Sequence, residues 1–310
     1  MNDIKLCIIV PCYNEQEVLP ETVKRLTAFL EDNGDLLGAG SRILFVDDGS
    51  RDKTWEMIAG YAKENGRVEG IKLAHNRGHQ NALWAGMETA AGRFDCVITI
   101  DADLQDDVKA MRTFLKKFAA GADVVYGVRS KRDTDSFFKR FTAEGYYKLM
   151  KLLGAETVYN HADYRLLSNR ALEALMEYGE VNLYLRGMVP LLGFNTETVY
   201  YERAERFAGE SKYPLKKMLA LAMQGATSFS VRPIRLIWVL GLILLFASSL
   251  TGIVLLCIPG CQLGFGAFSV WFCTGLVLSA LGLVGEYAGK IYAETKHRPR
   301  YVIMEKIIKE

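Results

Sequence analysis

From Leu236 to Gly285 the chain runs for fifty residues without a formal charge, broken near its middle by Pro259, Gly260 and the short stretch to Gly264. A helix that crosses a bilayer needs about 20 apolar residues, so this run predicts two membrane helices joined by a tight turn. A buried hairpin of a soluble protein is the competing reading. Arg232 and Arg235 precede the run and Lys290, Lys296, Arg298 and Arg300 follow it, while the connecting turn has neither Lys nor Arg. The positive-inside rule then puts both chain ends in the cytoplasm. The opening MNDIKLCIIVPCYNE holds an apolar run too short for a signal peptide and passes straight into a strand pattern. The expectation is a multi-pass protein of the cytoplasmic (inner) membrane, with its large N-terminal region and both termini on the cytoplasmic side.

The remainder of the 310 residues is long enough for a substantial core. With 38 basic against 36 acidic side chains, no overall field favours nucleic acid as a partner. None of the six cysteines forms a C-x-x-C pair. Cys7 and Cys96 fall on expected core strands and Cys257, Cys261 and Cys273 in the membrane run, so packing accounts for most of them.

Before residue 130 strand and helix patterns alternate. Strands are expected at Lys5 to Val10, Arg42 to Val46, Gly70 to Ala74, Cys96 to Ile100 and Asp123 to Tyr126. Helices are expected at Val18 to Leu30, Thr54 to Lys63, Gln80 to Ala91 and Val108 to Ala119. This βαβ succession implies an α/β fold with a mostly parallel, doubly wound sheet, whose ligands sit at the carboxyl ends of the strands. PCYNE, DDGS, HNRGH and DADLQD follow the first four strands in turn. No G-x-G-x-x-G and no Walker loop is present, so a bound phosphate would need a metal for part of its countercharge. Phe137 to Leu153 and Pro214 to Phe229 mix aromatic and aliphatic residues with lysines; they suit helices lying in the membrane interface, or amphipathic helices packed on the sheet.

The stretch VITIDADLQDD ends an apolar strand in Asp101, Asp103, Asp106 and Asp107. Carboxylates so close repel one another and ask for a cation or open water. Asp101, Asp103 and Gln105 stand two apart, so an extended strand end puts them on one face. Such hard oxygens suit Mg²⁺ or Mn²⁺, held by one or two carboxylates and completed by substrate phosphates. Asp106 and Asp107 are expected to begin the next helix at its positive dipole end. His75 and His79, four apart, are a candidate second metal pair, although Asn76, Arg77 and Gly78 between them read as a loop.

PCYNE, VDDGS, DADLQD, ADYRL at Ala162 to Leu166 and RFAGESKY at Arg206 to Tyr213, in this order and followed by the membrane hairpin, resemble the polyprenyl-phosphate glycosyltransferases, inverting metal-dependent enzymes of the GT-A fold. The likeness spans essentially the whole chain. It implies a GT-A domain over residues 1–212, a juxtamembrane amphipathic helix over 213–233, two transmembrane helices over 234–288 and a cytoplasmic tail over 289–310. It also implies that Pro11, Tyr13, Asn14, Glu15, Asp47, Asp48, Asp101 and Ala102 bind the nucleotide sugar, that Asp101, Asp103 and Gln105 hold Mg²⁺ or Mn²⁺, and that Arg129, Arg206, Ser211 and Lys212 bind the acceptor phosphate. Asp163 matches the acid proposed as base, and the family suggests a homo-oligomer, a tetramer. The chain has Ala162 where the family has Gly, and Asp107-Val108 where the family often has prolines.

The residues temper one of these implications. The second pKa of a phosphate monoester lies near ~6, so a lipid phosphate is largely ionised at neutral pH and needs cations more than a base. Asp163 is therefore expected to orient the acceptor and take a residual proton. The expected reaction moves a sugar, with UDP-glucose favoured, from nucleotide to polyprenyl (undecaprenyl) phosphate at the cytoplasmic membrane face. A UDP-N-acetylhexosamine donor, or GDP-mannose with dolichyl phosphate, is the near alternative. A silent membrane scaffold that binds nucleotide sugar is the alternative from another class. A processive synthase would require a Q-x-x-R-W segment, which the sequence does not contain.

Overall fold

The computed structural model describes residues 3–129, 161–181, 183–202 and 262–309, with isolated positions between 237 and 246. The expected interfacial helices, nearly all of the first membrane helix, and Arg206, Ser211 and Lys212 lie outside the described residues. The chain divides into two compact units. One holds the sheet and residues 299–310; the other holds the long C-terminal helix.

The sheet unit opens with β1 (Leu6–Cys12), α1 (Leu19–Asp32), β2 (Arg42–Asp47), α2 (Thr54–Glu64), β3 (Val68–Leu73), α3 (His79–Ala90), β4 (Cys96–Thr99) and α4 (Ala110–Ala119). It continues through β5 (Val124–Arg129), β6 (His161–Ser168), α5 (Asn169–Met176), α6 (Leu185–Leu191) and β7 (Thr196–Tyr201), and β8 (Ile303–Ile307) completes it. Every residue of β1 is buried, as a strand covered on both faces must be, which explains its unbroken apolar run. The eight strands lie in the order β7-β5-β6-β4-β1-β2-β3-β8. β1 pairs in parallel with β2 and β4, as do β2 with β3 and β5 with β7. β6 runs antiparallel to both β4 and β5, and β8 antiparallel to β3. The sheet is mixed and mostly parallel.

Packing between α3 and the sheet is close enough to need glycine. A Cβ on Gly86 would stand 2.4 Å from Ile9 Cγ2 and 3.0 Å from Val46 Cγ2. That approach seats the start of α3 beside the ends of β1 and β2, where the loops converge.

Three strands lie outside the expected set. β6 carries Asp163 and Arg165 on one face and Tyr164 and Leu166 on the other, so it shows no apolar run. The buried Tyr164 ring packs on Phe114 at 4.7 Å and edge-on against Tyr201 at 5.2 Å. β8 lies within the segment read from sequence as a tail, 289–310. That segment is divided: its first residues continue the long helix α7 (Gln262–Thr295), and Ile303–Ile307 joins the sheet edge. Thirty-four residues at 1.5 Å make α7 about 50 Å long, well beyond a bilayer's ~30 Å hydrocarbon core. Among the described residues, Phe272–Thr295 within α7 is the one helix long and apolar enough to cross a membrane.

Candidate active site

Four loops meet at the carboxyl edge of the parallel strands and are sewn together by backbone contacts. Asn14, with a left-handed φ of 55°, donates its N–H to Ser50 Oγ at 2.9 Å and accepts from Arg51 N at 2.9 Å. Glu15 N donates to Thr54 Oγ1 at 2.9 Å. The loop after β1 is thereby fixed to the turn after β2. Gly49 allows that turn its sharp path, with φ of 68° and no room for a side chain: a Cβ would lie 2.7 Å from Asn76 N. Asp48 then accepts from Arg77 N at 2.7 Å and Gly78 N at 2.9 Å, tying in the loop after β3.

The two neighbouring acids thus differ in what they have left. Asp48 spends both oxygens on backbone. Asp47 accepts Ser50 N through Oδ1 at 3.2 Å, while its buried Oδ2 has no partner. Burial pushes the carboxyls of both above the usual range. A buried, unsatisfied carboxylate oxygen at a loop junction fits a ligand that brings a hydrogen-bond donor. Tyr13 is exposed beside the buried Pro11.

Asp101, Asp103 and Gln105 are half-buried and alternate with buried Ala102, Leu104 and Asp106, but they do so in a turn beyond β4, which ends at Thr99, and not on the extended strand end expected from sequence. Leu104 holds a left-handed φ of 57°, uncommon for a branched apolar residue. Gln105 N donates to Asp103 Oδ1 at 3.2 Å, and Ala102 O accepts from Thr22 Oγ1 at 2.9 Å. The Asp101 carboxyl is pushed up to about 6 by burial and by Asp106, Asp163 and Asp103, with His79 opposing. This donor set fits a hard divalent cation that relieves the crowding. Among the described residues no three His, Cys, Asp or Glu side chains could hold a metal by themselves, so substrate oxygens would have to complete the shell.

Asp106 departs from expectation. The helix begins at Ala110, and the buried Asp106 instead accepts from Tyr201 Oη at 2.5 Å and from Arg129 Nη2 at 3.4 Å. An unpaired carboxylate cannot be left buried, so β7 and β5 supply it with partners. Arg129, expected to face acceptor phosphate, is thus joined to Asp106 and donates Nε to Tyr201 Oη at 3.4 Å. Asp107 is exposed and receives Lys109 N at 2.9 Å.

Asp163 lies at the centre of a cluster that the sequence did not disclose. Arg165, two residues on and therefore on the same face of β6, donates Nη2 to Asp163 Oδ1 at 2.5 Å. Arg186 of α6 donates Nε to Oδ1 and Nη2 to Oδ2, each at 3.2 Å. Gln80 Nε2 lies 3.5 Å from Oδ2, and its own Oε1 accepts Leu185 N at 3.0 Å. His79 Nε2 stands 3.6 Å from both Asp163 Oδ2 and Asp101 Oδ1, bridging the loop after β4 and strand β6. Burial alone would raise the Asp163 carboxyl, but Arg186, His79 and Arg165 outweigh it and hold it well below the usual range. His79 opens α3 and faces these acids, so the spacing to His75 has no part in its placement. The i, i+2 spacing of Asp163 and Arg165 was the one sequence signal for this cluster; nothing near Arg186 announced it.

Residues 7–176 match the family described as Glycosyl transferase family 2. The chain belongs to that family. Its relatives include an uncharacterized glycosyltransferase, YkoT, of Bacillus subtilis, 51% identical over 96% of this chain and 90% of the relative. A bactoprenol glucosyl transferase of Shigella phage SfV is 38% identical over 97% of this chain and 98% of the relative. A prophage bactoprenol glucosyl transferase homolog of Escherichia coli is 35% identical over the same shares, 97% and 98%. As a family 2 glycosyltransferase with a mostly parallel mixed sheet, the chain has the GT-A fold, and the four converging loops and the Asp163 cluster lie at the strand ends where such α/β sheets bind ligands.

Proposed function

We propose that this glycosyltransferase moves glucose from UDP-glucose to a polyprenyl (undecaprenyl) phosphate at the cytoplasmic face of the membrane, with inversion. The near-full-length likeness to relatives named bactoprenol glucosyl transferase carries the choice of sugar and acceptor. The membrane setting is supported by α7, whose Val270, Phe272, Val277, Leu281 and Val284 are exposed and suit hydrocarbon better than water.

Asp47, with its unpartnered Oδ2, and Tyr13 receive the nucleoside, beside the loop that Asn14 and Glu15 hold in place. Asp101, Asp103 and Gln105 would hold Mg²⁺ or Mn²⁺ against the diphosphate, where a divalent cation neutralises charge on the departing group. The acceptor phosphate oxygen attacks the anomeric carbon from the face opposite the diphosphate. The bond from that carbon to the diphosphate breaks, and UDP leaves with the electron pair. A single displacement through an oxocarbenium-like transition state inverts the centre. Asp163 belongs to the acceptor side, with Arg206, Ser211 and Lys212 contributing to phosphate binding and Arg129, joined to Asp106 and Tyr201, lending its charge.

The decisive experiment supplies membranes containing the full chain with polyprenyl phosphate and a panel of labelled UDP-glucose, UDP-N-acetylhexosamines and GDP-mannose. Glucose should enter the lipid fraction, and UDP should be released in step with it. Transfer of another sugar would move the donor assignment, and metal-dependent binding of nucleotide sugar without any transfer would favour a scaffold.

A further inference from the structure

Counting acceptor sites on Asp163 leads to a role other than proton acceptance. A carboxylate offers about four lone-pair directions. Oδ1 takes Arg165 Nη2 and Arg186 Nε; Oδ2 takes Arg186 Nη2 and faces Gln80 Nε2, with His79 beside it. All four directions are filled by donors. The side chain is only 9% exposed, and its main-chain oxygen is also engaged, by Thr99 Oγ1 at 2.6 Å.

The charges do not cancel. Asp163 brings one negative charge, and Arg165 and Arg186 bring two positive ones. Arg165 is buried, with Nη1 held by Leu185 O at 3.1 Å. Arg186 differs: 36% of its side chain is exposed, and Asp163 uses two of the five N–H donors of its guanidinium. A buried carboxylate thus fixes the plane of a partly open guanidinium, and the triad of Asp163, Arg165 and Arg186 keeps one positive charge in excess, with the Asp101 carboxylate and His79 as its charged neighbours.

We infer that Asp163 is a positioning residue that anchors Arg186, and that Arg186 is a further group that binds the phosphate of the acceptor. This rests on the polyprenyl-phosphate reading above. A guanidinium held bidentate by a carboxylate keeps its remaining N–H groups in a fixed fork, matched to the oxygens of a phosphate monoester. The acceptor arrives as a near-dianion, so the excess cation is what it requires, and it needs to hand no proton to Asp163.

The test compares full-length wild type, Arg186→Ala, Arg186→Lys, Asp163→Asn and the Asp163→Asn/Arg186→Ala double variant in detergent, with a short polyprenyl phosphate and UDP-glucose. Acceptor KM, kcat and the affinity for UDP are read separately. Losing one charge-assisted contact should raise the acceptor KM of Arg186→Ala about 10- to 100-fold, with UDP affinity within about 2-fold of wild type. Arg186→Lys should recover part of that loss, since a point charge remains without the fork. Asp163→Asn should reproduce the rise in KM, and the double variant should be no worse than the poorer single variant. Asp163→Asn leaves Arg165 buried without its countercharge; if it does not fold, the two Arg186 variants decide the matter. An unchanged acceptor KM in Arg186→Ala, or a loss of UDP affinity there in its place, overturns the inference. So does a double variant whose defect is the product of the two singles, which is how an independent base would behave. Turnover by wild type separates the two claims: without it the functional reading itself falls, and with it the variants judge Arg186.

Discussion

Replacing Glu69 by Gln should loosen the C-terminal segment that follows the long apolar helix α7. Glu69 lies in β3 with its side chain fully buried. It accepts from Arg93 Nη1 at 3.0 Å and Nη2 at 2.7 Å, and from Lys309 N at 3.0 Å. This clasp closes a strap that also includes β8, the Trp55 Nε1 bond to Glu305 at 3.0 Å, and Arg300, which donates to the carbonyls of Tyr178 and Glu180 and lies over the Trp84 ring. Tyr301 adds a bond to Glu88. Glutamine keeps the shape, but its NH₂ faces the guanidinium, so one charge-assisted bond is lost and the others weaken. Breaking a fully buried pair costs about 3–5 kcal/mol. Arg93 is 30% exposed, so water compensates in part and the loss should be about 2–3 kcal/mol. At roughly 2–4 °C per kcal/mol for a domain of this size, the apparent Tm at fixed scan rate should fall by about 5–10 °C. Amide exchange should accelerate in Ile303–Ile307 before it does in β1, because the clasp holds the strap rather than the central strands. A Tm shift under about 1 °C, or acceleration spread evenly over β1 and β8, would refute the reasoning.

Asp103→Ala should abolish turnover and remove the metal-dependent part of donor binding, measured by UDP titration with and without Mn²⁺; full wild-type activity in excess chelator would refute a metal role for Asp101, Asp103 and Gln105. Asp123→Asn should cost about 1–2 kcal/mol at neutral pH, because Asp123 accepts from Ser168 Oγ at 2.9 Å and from the Arg170 guanidinium. The Arg170 hydrogen bond holds the Asp123 carboxyl below its usual range, so its contribution is present above the ordinary aspartate pKa of about 3.9 and fades as pH falls through the folded-state value. In urea unfolding the gap between wild type and variant should be constant above about pH 5 and close below pH 4; a gap that persists at pH 2.5 would contradict this. A reporter fused after Glu310 should read as cytoplasmic, and a cysteine at Gly260 should label from outside; external labelling of the C-terminus would overturn the two-helix topology.

The sequence by itself determined the layered fold of the first 130 residues and the placing of their motifs. Continuous apolar strands and periodic helices report burial locally, and in a parallel sheet each strand's end delivers its loop to the same edge. PCYNE, DDGS and DADLQD could therefore be located without coordinates, as could the alternation of Asp101, Asp103 and Gln105 with buried neighbours. Tertiary structure alone decided the partners of the buried charges. Asp106 reads as a helix-start acid until β5 and β7 bring Arg129 and Tyr201 to it from 23 and 95 residues away. β6 is masked by polar residues on its site-facing side, and β8 is a short strand with mostly exposed side chains that exists only where the edge of β3 accepts it. Asp163 was legible as an acid in a motif, but Arg186 and His79 reach it across 23 and 84 residues. Local pattern records which residues are buried; it holds no record of which distant charge answers another, because that depends on strand order, which only the packed sheet sets.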